Sequence, residues 1–130
     1  MTAHLFQLGL PFGSMSYQYD LAGNRTAQVW NDGFYVTYDH LVTGEMTAIR
    51  ENGAASGVGV LATYSYDDLG RRTGIARGNG TTTSYGYDTV SRLSSLGQDL
   101  AGTAYDLSLG FSYNPANQIA GMTRSNDAYA

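Results

Sequence analysis

Apolar and polar side chains alternate over short stretches of this chain, and residues typical of tight turns separate the stretches. Tyr64 and Tyr66 share one face of an extended segment, because side chains in a strand alternate with a period of two. The run 81–87 (TTTSYGY) has the strongest preference for strand. No segment of ten residues has sustained helical periodicity. The pattern predicts an all-β meander of about ten short strands.

Turn chemistry follows each strand that carries paired tyrosines. After Tyr66, the carboxylate of Asp67 can accept a hydrogen bond from a backbone N–H two residues on. Gly70 occupies the fourth place, where a positive φ is readily adopted by glycine. Thr73 is β-branched and suits a returning strand. Residues 64–73 therefore predict a strand, a tight turn and a second strand.

The same unit recurs along the chain, and nine of the 11 tyrosines lie in its copies. The further copies are 17–26; 85–94, with Ser91 in the glycine place; 35–39 followed by 44–47, with a turn two residues longer; and a degraded 111–119. The central tyrosines of the five copies, Tyr19, Tyr38, Tyr66, Tyr87 and Tyr113, are 19, 28, 21 and 26 residues apart. Similar hairpins at irregular spacing predict a repeat array with loops of variable length.

We divide the chain into an N-terminal tail or partial strand (1–14), an array of five repeats, two of them degenerate (15–125), and an end without a cap (126–130). The candidate site is the structural repeat motif itself. Its residues are Tyr17, Tyr19, Asp20, Gly23, Arg25, Tyr38, Asp39, Gly44, Tyr64, Tyr66, Asp67, Gly70, Arg71, Tyr85, Tyr87, Asp88, Arg92 and Tyr113.

Each residue type in the motif has a structural and a functional interpretation. The aspartates are expected to cap their own turns rather than bind metal, because capping explains their fixed offset from glycine. The arginines are expected to pair with carboxylates and cover tyrosine rings across strands, rather than form a ligand-binding stripe. The tyrosines are expected to pack across strands, although a stacked aromatic row that binds sugars is the alternative.

Composition argues against several classes of function. The net charge is −4 and all seven basic residues are arginine, which disfavours a nucleic-acid partner and an anionic membrane surface. The absence of cysteine excludes disulfides and thiolate metal sites. No apolar run is long enough to predict a membrane-spanning helix, and the first ten residues do not form a recognisable signal peptide.

Catalytic signatures are also missing from the sequence. No serine lies in a Gly-x-Ser-x-Gly frame, and the glycine-rich segments lack the lysine of a phosphate-binding loop. We therefore expect no enzyme, no catalytic residues, no cofactor and no metal.

The motif Tyr-Asp-x-x-Gly-Arg resembles the signature of Rhs (YD-repeat) proteins, the shells of bacterial polymorphic toxins. Residues 66–71 and 19–25 fit it closely, the copies at Tyr38 and Tyr113 fit loosely, and the resemblance covers roughly residues 15 to 125. It implies strands that coil into a hollow β-shell, of which five repeats would form an arc.

The resemblance implies a function as well. The chain would be a structural segment of a shell that encloses and delivers a polypeptide cargo such as a toxin domain, exported or at the cell surface. The expected partners are the neighbouring repeats of a longer shell, or other copies reached through open sheet edges. The self-cleaving segment and the toxin domain of Rhs toxins are not found here. A tyrosine-rich module for carbohydrate binding or cell-surface adhesion is the alternative function.

Overall fold

The computed structural model of the chain describes residues 2–4, 14–102 and 104–126, and almost all of them lie in strands or tight turns. The strands are β1 (Thr2–His4), β2 (Met15–Tyr19), β3 (Arg25–Trp30), β4 (Tyr35–His40), β5 (Met46–Glu51), β6 (Val60–Tyr66), β7 (Arg72–Arg77), β8 (Thr82–Tyr87), β9 (Leu93–Asp99), β10 (Leu107–Tyr113) and β11 (Ile119–Arg124). The helical content of these residues is one 3-10 turn, Gly57–Gly59. None of their helices has the length and apolar character needed to cross a membrane.

The chain divides into two compact units, residues 1–63 and 64–130. The first unit contains β1 to β5 and residues 60–63 of β6, and the second contains the end of β6 and β7 to β11. Within each unit, strands that follow one another in sequence pair antiparallel. The predicted all-β antiparallel meander is confirmed.

Strand β1 accounts for the eleventh strand, since about ten were predicted. It pairs with β2 and lies in the segment predicted to be a tail or partial strand. The remainder of that segment up to residue 13 lies outside the described residues, as do residues 127–130 of the predicted C-terminal end.

Few side chains are buried in either unit. In the first unit Ala27, Val36, Ala48 and Ala62 are buried, and in the second Thr83 is buried. No large side chain among the described residues is fully buried. Cross-strand pairs on the two faces of a single antiparallel layer, rather than an enclosed core, therefore supply most of the stabilising contacts.

The two faces of the second unit differ sharply in composition. Strand register places apolar and aromatic side chains on one face, which we call the tyrosine face, and small side chains on the other, the glycine–serine face. The tyrosine face carries Ile75, Thr83, Tyr85, Tyr87, Leu93, Leu96, Leu107, Leu109, Phe111, Tyr113 and Met122. The glycine–serine face carries Gly74, Ser84, Gly86, Ser95, Gly97, Ser108, Gly110, Ser112, Gly121 and Thr123.

Candidate functional site

All five repeat turns have the same backbone geometry. In the best copy the N–H of Asp67 donates to the carbonyl of Arg71 (3.0 Å), and the N–H of Gly70 donates to the carbonyl of Asp67 (2.9 Å). The fourth residue of such a turn takes a positive φ, as expected for a five-residue hairpin turn with a bulge. The five fourth residues are Gly23 (86°), Gly44 (102°), Gly70 (73°), Ser91 (67°) and Asn117 (62°).

The copy around Tyr38 has a different alignment from the predicted one. Its turn begins at Leu41, whose N–H donates to the carbonyl of Glu45 (2.8 Å), so this turn is not longer than the others. Asp39 lies inside β4 and forms an ion pair with Arg50 (2.8 Å), so the prediction that Asp39 caps the turn is wrong. His40 holds the place of the central tyrosine, and Tyr38 the place of the first. The Tyr-Asp pair misled the alignment because strand pairing and the positive-φ residue determine where the turn lies.

The corrected alignment makes the array regular. The turns begin at residues 20, 41, 67, 88 and 114, which are separated by 21, 26, 21 and 26 residues. The pattern therefore repeats every 47 residues, and the irregular spacing predicted from the tyrosines is wrong. The boundary at residue 64 falls 47 residues after Tyr17, so the two units are successive copies of one double hairpin.

Aspartate carboxylates cap three of the five turns. Asp67 Oδ1 accepts the N–H groups of Leu69 (3.0 Å) and Arg71 (2.9 Å), and Asp88 Oδ1 accepts those of Val90 and Arg92 at the same distances. Asp20 Oδ1 accepts the N–H of Asn24 (2.8 Å). These carboxylates act as turn caps, as the sequence predicted.

The bonds to the caps lower the pKa of each carboxyl group. The side-chain bond from Arg71, with help from backbone N–H groups, holds the pKa of Asp67 below its usual value. The side-chain amide of Asn24 and its backbone N–H do the same for the pKa of Asp20. Burial raises the pKa of Asp88, but the bonds from Arg92 and Val90 outweigh it and the net shift is downward.

The arginine in the fifth place of a turn joins its own repeat to the next one. Arg71 Nε donates to Asp67 Oδ2 (2.7 Å), and Nη1 of the same guanidinium donates to Ser91 Oγ in the following turn (2.8 Å). The guanidinium also lies 4.6 Å from the ring centroid of Tyr87, the central tyrosine of that next repeat. One side chain thus caps a turn, bonds the next turn and covers a tyrosine ring.

Arg92 repeats these contacts one hairpin further along. It donates to Asp88 Oδ2 (2.7 Å) and to Asn117 Oδ1 (2.8 Å), and its guanidinium lies 4.5 Å from the ring centroid of Tyr113. We call Asp67–Arg71–Tyr87 and Asp88–Arg92–Tyr113 the two repeat links. The sequence predicted arginine–carboxylate pairs and covered rings, but not that the covered ring belongs to the next repeat.

Tyrosine hydroxyls complete the repeat links. The Tyr87 hydroxyl donates to the carbonyl of Arg72 (2.8 Å), and the Tyr113 hydroxyl donates to the carbonyl of Leu93 (2.7 Å). Each acceptor is the residue that follows the arginine of the link. Each tyrosine is therefore held by its ring and by its hydroxyl against the preceding repeat.

The first unit has no repeat link among its described residues. Asn24 stands in the arginine place, and its amide donates to Asp20 Oδ2 (3.0 Å). Arg25, one residue later, lies between the rings of Tyr17 (5.5 Å) and Tyr38 (5.1 Å). Glu45 holds the other arginine place and accepts a bond from the Thr43 hydroxyl.

The remaining motif tyrosines lie apart from the repeat links. Tyr85 is opposite Leu96 on the tyrosine face, and Tyr19 is opposite Arg25 and 38% exposed. Tyr64 and Tyr66 have the guanidinium of Arg72 over their rings, at 4.6 and 6.0 Å.

Open grooves and metal-binding groups contribute nothing to the motif. Three shallow grooves of about 250, 150 and 380 Å³ lie in the second unit, and no motif residue lines them. Across the part of the chain that is described, no three His, Cys, Asp or Glu side chains cluster to hold a metal ion.

Comparison with known proteins identifies the fold through structure alone. No family model matches the sequence, and no curated protein matches it. The crystal structure of TcdB2-TccC3-TEV is similar, with a TM-score of 0.72 and 16% identity over 87% of this chain and 5% of that chain. TcdB2-TccC3-Cdc42 gives a TM-score of 0.70 and 17% identity over 86% of this chain and 5% of that one. TcdB2-TccC3 gives 0.69 and 17% over 87% and 6%.

The chain thus spans about a twentieth of the length of the proteins it matches in structure. At 16–17% identity the likeness concerns the fold alone. The chain has an Rhs-like shell fold, similar to that of a segment of the TcdB2-TccC3 chains.

Proposed function

We propose that this chain is a wall segment of an Rhs-type shell that encloses a polypeptide cargo such as a toxin domain, and that it has no catalytic role. The repeat links carry the proposal, because the arginines in them form their bonds between successive repeats. A wall needs this kind of contact, since each hairpin is only marginally stable alone. The likeness to TcdB2-TccC3 chains, toxin-complex proteins with an Rhs-like shell fold, supports the proposal.

The layered construction supports the same role. Each unit is a single antiparallel layer, so backbone hydrogen bonds run from strand to strand along the direction in which repeats are added. The two faces of the second unit remain available, one rich in tyrosine and leucine and the other in glycine and serine. A single layer with two distinct faces can separate an enclosed space from its surroundings.

The carbohydrate-binding alternative receives less support from the tyrosines. Sugar stacking needs an open ring face, but guanidinium groups cover the rings of Tyr64, Tyr87 and Tyr113. The hydroxyls of Tyr87 and Tyr113 are also occupied by backbone carbonyls. We propose an exported or cell-surface shell rather than a glycan-binding module.

The test is electron microscopy combined with limited proteolysis of the purified natural gene product. We expect a hollow particle whose contents resist protease until the particle is opened by denaturant. The double variant Arg71→Ala/Arg92→Ala should expose the contents to protease at least about tenfold faster, because both repeat links are lost. Arg124→Ala is the matched control, since Arg124 is an exposed arginine on β11 outside the links.

A solid or open particle with equally sensitive contents in all three proteins would contradict the proposal. Saturable binding of a glycan that is lost in Tyr87→Ala, with the fold retained, would favour the alternative function instead.

A further inference from the structure

Large aliphatic side chains stand exposed at the tips of the repeat turns. In the second unit Leu69 is 72% exposed and Val90 is 64% exposed, each as the third residue of its turn. In the first unit Leu21 and Val42, each the second residue of its turn, are fully exposed. A single exposed leucine needs no explanation, but a similar one at the tip of four turns forms a pattern.

Turn geometry does not require these aliphatic residues. The opposite edge of the same hairpins has turns with the same hydrogen bonds, beginning at Trp30 and at Arg77. Their tips carry Asn31 and Asp32 in the first unit and Gly78 and Asn79 in the second. The backbone conformation is shared and the tip chemistry differs, so another contact must account for the aliphatic residues.

The spacing of the tips defines the kind of surface they fit. Successive repeat turns on one edge are two strands apart, which is about 9.5 Å. Each unit therefore presents a ladder of aliphatic groups with the pitch of its own hairpins. The aspartates behind the tips in the second unit are already paired with Arg71 and Arg92, so the edge carries little unpaired charge.

We infer that this aliphatic turn row is a self-complementary contact through which a second copy of the chain docks, edge to edge. A second copy has the same pitch, and interdigitated leucine and valine tips would leave water together. A net charge of −4 disfavours an anionic lipid surface as the occupant. The area is small, so the contact is weak in the isolated chain, with a dissociation constant in the micromolar to millimolar range.

The inference rests on the proposed wall role only for its biological setting, in which another row of repeats takes the place of the second copy. The matched TcdB2-TccC3 chains are about twenty times longer than the segment they share with this chain, so such a segment has further chain around it. Self-association of the 130-residue chain can be measured whether or not a shell exists.

Cysteine cross-linking tests the contact directly, because the chain has no cysteine of its own. Leu69→Cys places a thiol in the third position of a repeat turn, and Asn79→Cys places one in the third position of an opposite-edge turn. Under mild oxidation at equal concentration, we expect the Leu69→Cys chain to form disulfide dimers at least about tenfold faster. Circular dichroism should show the same β-sheet spectrum for both.

Sedimentation equilibrium gives an independent measure. The double variant Leu69→Ser/Val90→Ser should weaken self-association by about tenfold or more, since two aliphatic groups on each copy lose their contact. Val58→Ser is the matched control, because Val58 is 77% exposed but lies in the loop before β6 rather than in a repeat turn. It should leave the dissociation constant unchanged.

Equal cross-linking at positions 69 and 79, a wild-type chain that stays monomeric at all concentrations, or an equal effect of Val58→Ser would overturn the inference. Binding to phosphatidylcholine vesicles that is lost in the double variant would assign the row to lipid and also overturn it. A natural gene product that forms no hollow particle, while Leu69→Cys still cross-links selectively, would remove the wall role and leave this contact standing.

Discussion

The two units share one double hairpin but place their charged contacts at different positions. In the second unit two arginines in the turns join successive repeats, through Arg71 and Arg92. In the first unit the same two places hold Asn24 and Glu45. Its one described ion pair, Arg50 with Asp39, instead lies within the strands.

The strand positions show the reciprocal difference. The residues 47 places after Asp39 and Arg50 are Gly86 and Gly97, which lie on the glycine–serine face. There a serine or threonine of one strand lies over a glycine of the next: a Cβ on Gly110 would lie 2.6 Å from Thr123 Oγ1, and one on Gly74 would lie 2.7 Å from Ser65 Oγ. One backbone pattern thus accepts two solutions, charges within the strands or charges at the turns with closely packed small residues between strands.

The shared backbone turn should give the largest effect. Gly70→Val should cost about 2 kcal/mol of unfolding free energy or more, because a β-branched residue is strained at the φ of 73° found there. Gly23→Val, its counterpart in the first unit, should cost a similar amount. Ser56→Val is the control, since Ser56 has an extended backbone with φ of −159°. Thermal unfolding followed by circular dichroism measures all three, and equal melting temperatures for Gly70→Val and Ser56→Val would refute the turn argument.

The repeat link should give the next largest effect, and only in the second unit. Arg71→Ala should cost about 1–2 kcal/mol, because it removes a partly buried ion pair, a bond to Ser91 and a cation–π contact. Arg71→Asn should cost less, since asparagine already caps the equivalent aspartate in the first unit. Asn24→Ala should cost about 0.5–1 kcal/mol. Chemical denaturation would break the comparison if Arg71→Ala and Asn24→Ala proved equal.

A double-mutant cycle should sharpen the link further. Ser91 has a positive φ of 67°, which strains a non-glycine residue, yet its hydroxyl accepts the bond from Arg71. Ser91→Gly should therefore be close to neutral in the wild type, and it should stabilise the Arg71→Ala variant by about 1 kcal/mol. Additive effects, measured by the same denaturation experiment, would show that the Arg71–Ser91 bond contributes nothing.

Acid should produce the smallest and most gradual effect. The folded-state pKa values of Asp20, Asp67 and Asp88 lie below their usual range, so these carboxylates stabilise the fold above their unfolded pKa of about 3.9. That stabilisation is lost as the pH falls through the folded values. The melting temperature should be nearly flat above about pH 5 and should decline below about pH 4. In Asp67→Asn/Asp88→Asn the decline should be shallower, and an unchanged decline would place the acid sensitivity elsewhere.

Much of the fold could be predicted from local patterns. Tyrosine alternation and the Asp-x-x-Gly turns predicted the all-β meander, because strand period and turn chemistry depend on neighbouring residues only. The capping of Asp67 and Asp88 followed from the same local chemistry. The copy at Tyr38 was misaligned because its turn lacks the aspartate, and only Gly44 marked its position.

The sequence by itself determined the strands, the turn type and the residues that cap the turns. The tertiary structure alone decided the 47-residue period, the two contrasting faces of the second unit and the partners of Arg71 and Arg92. Those partners lie 20 and 25 residues further along the chain, at Ser91 and Asn117. The register of strand pairing brings them within reach, and register depends on both strands of a pair together with the bulge beside each turn.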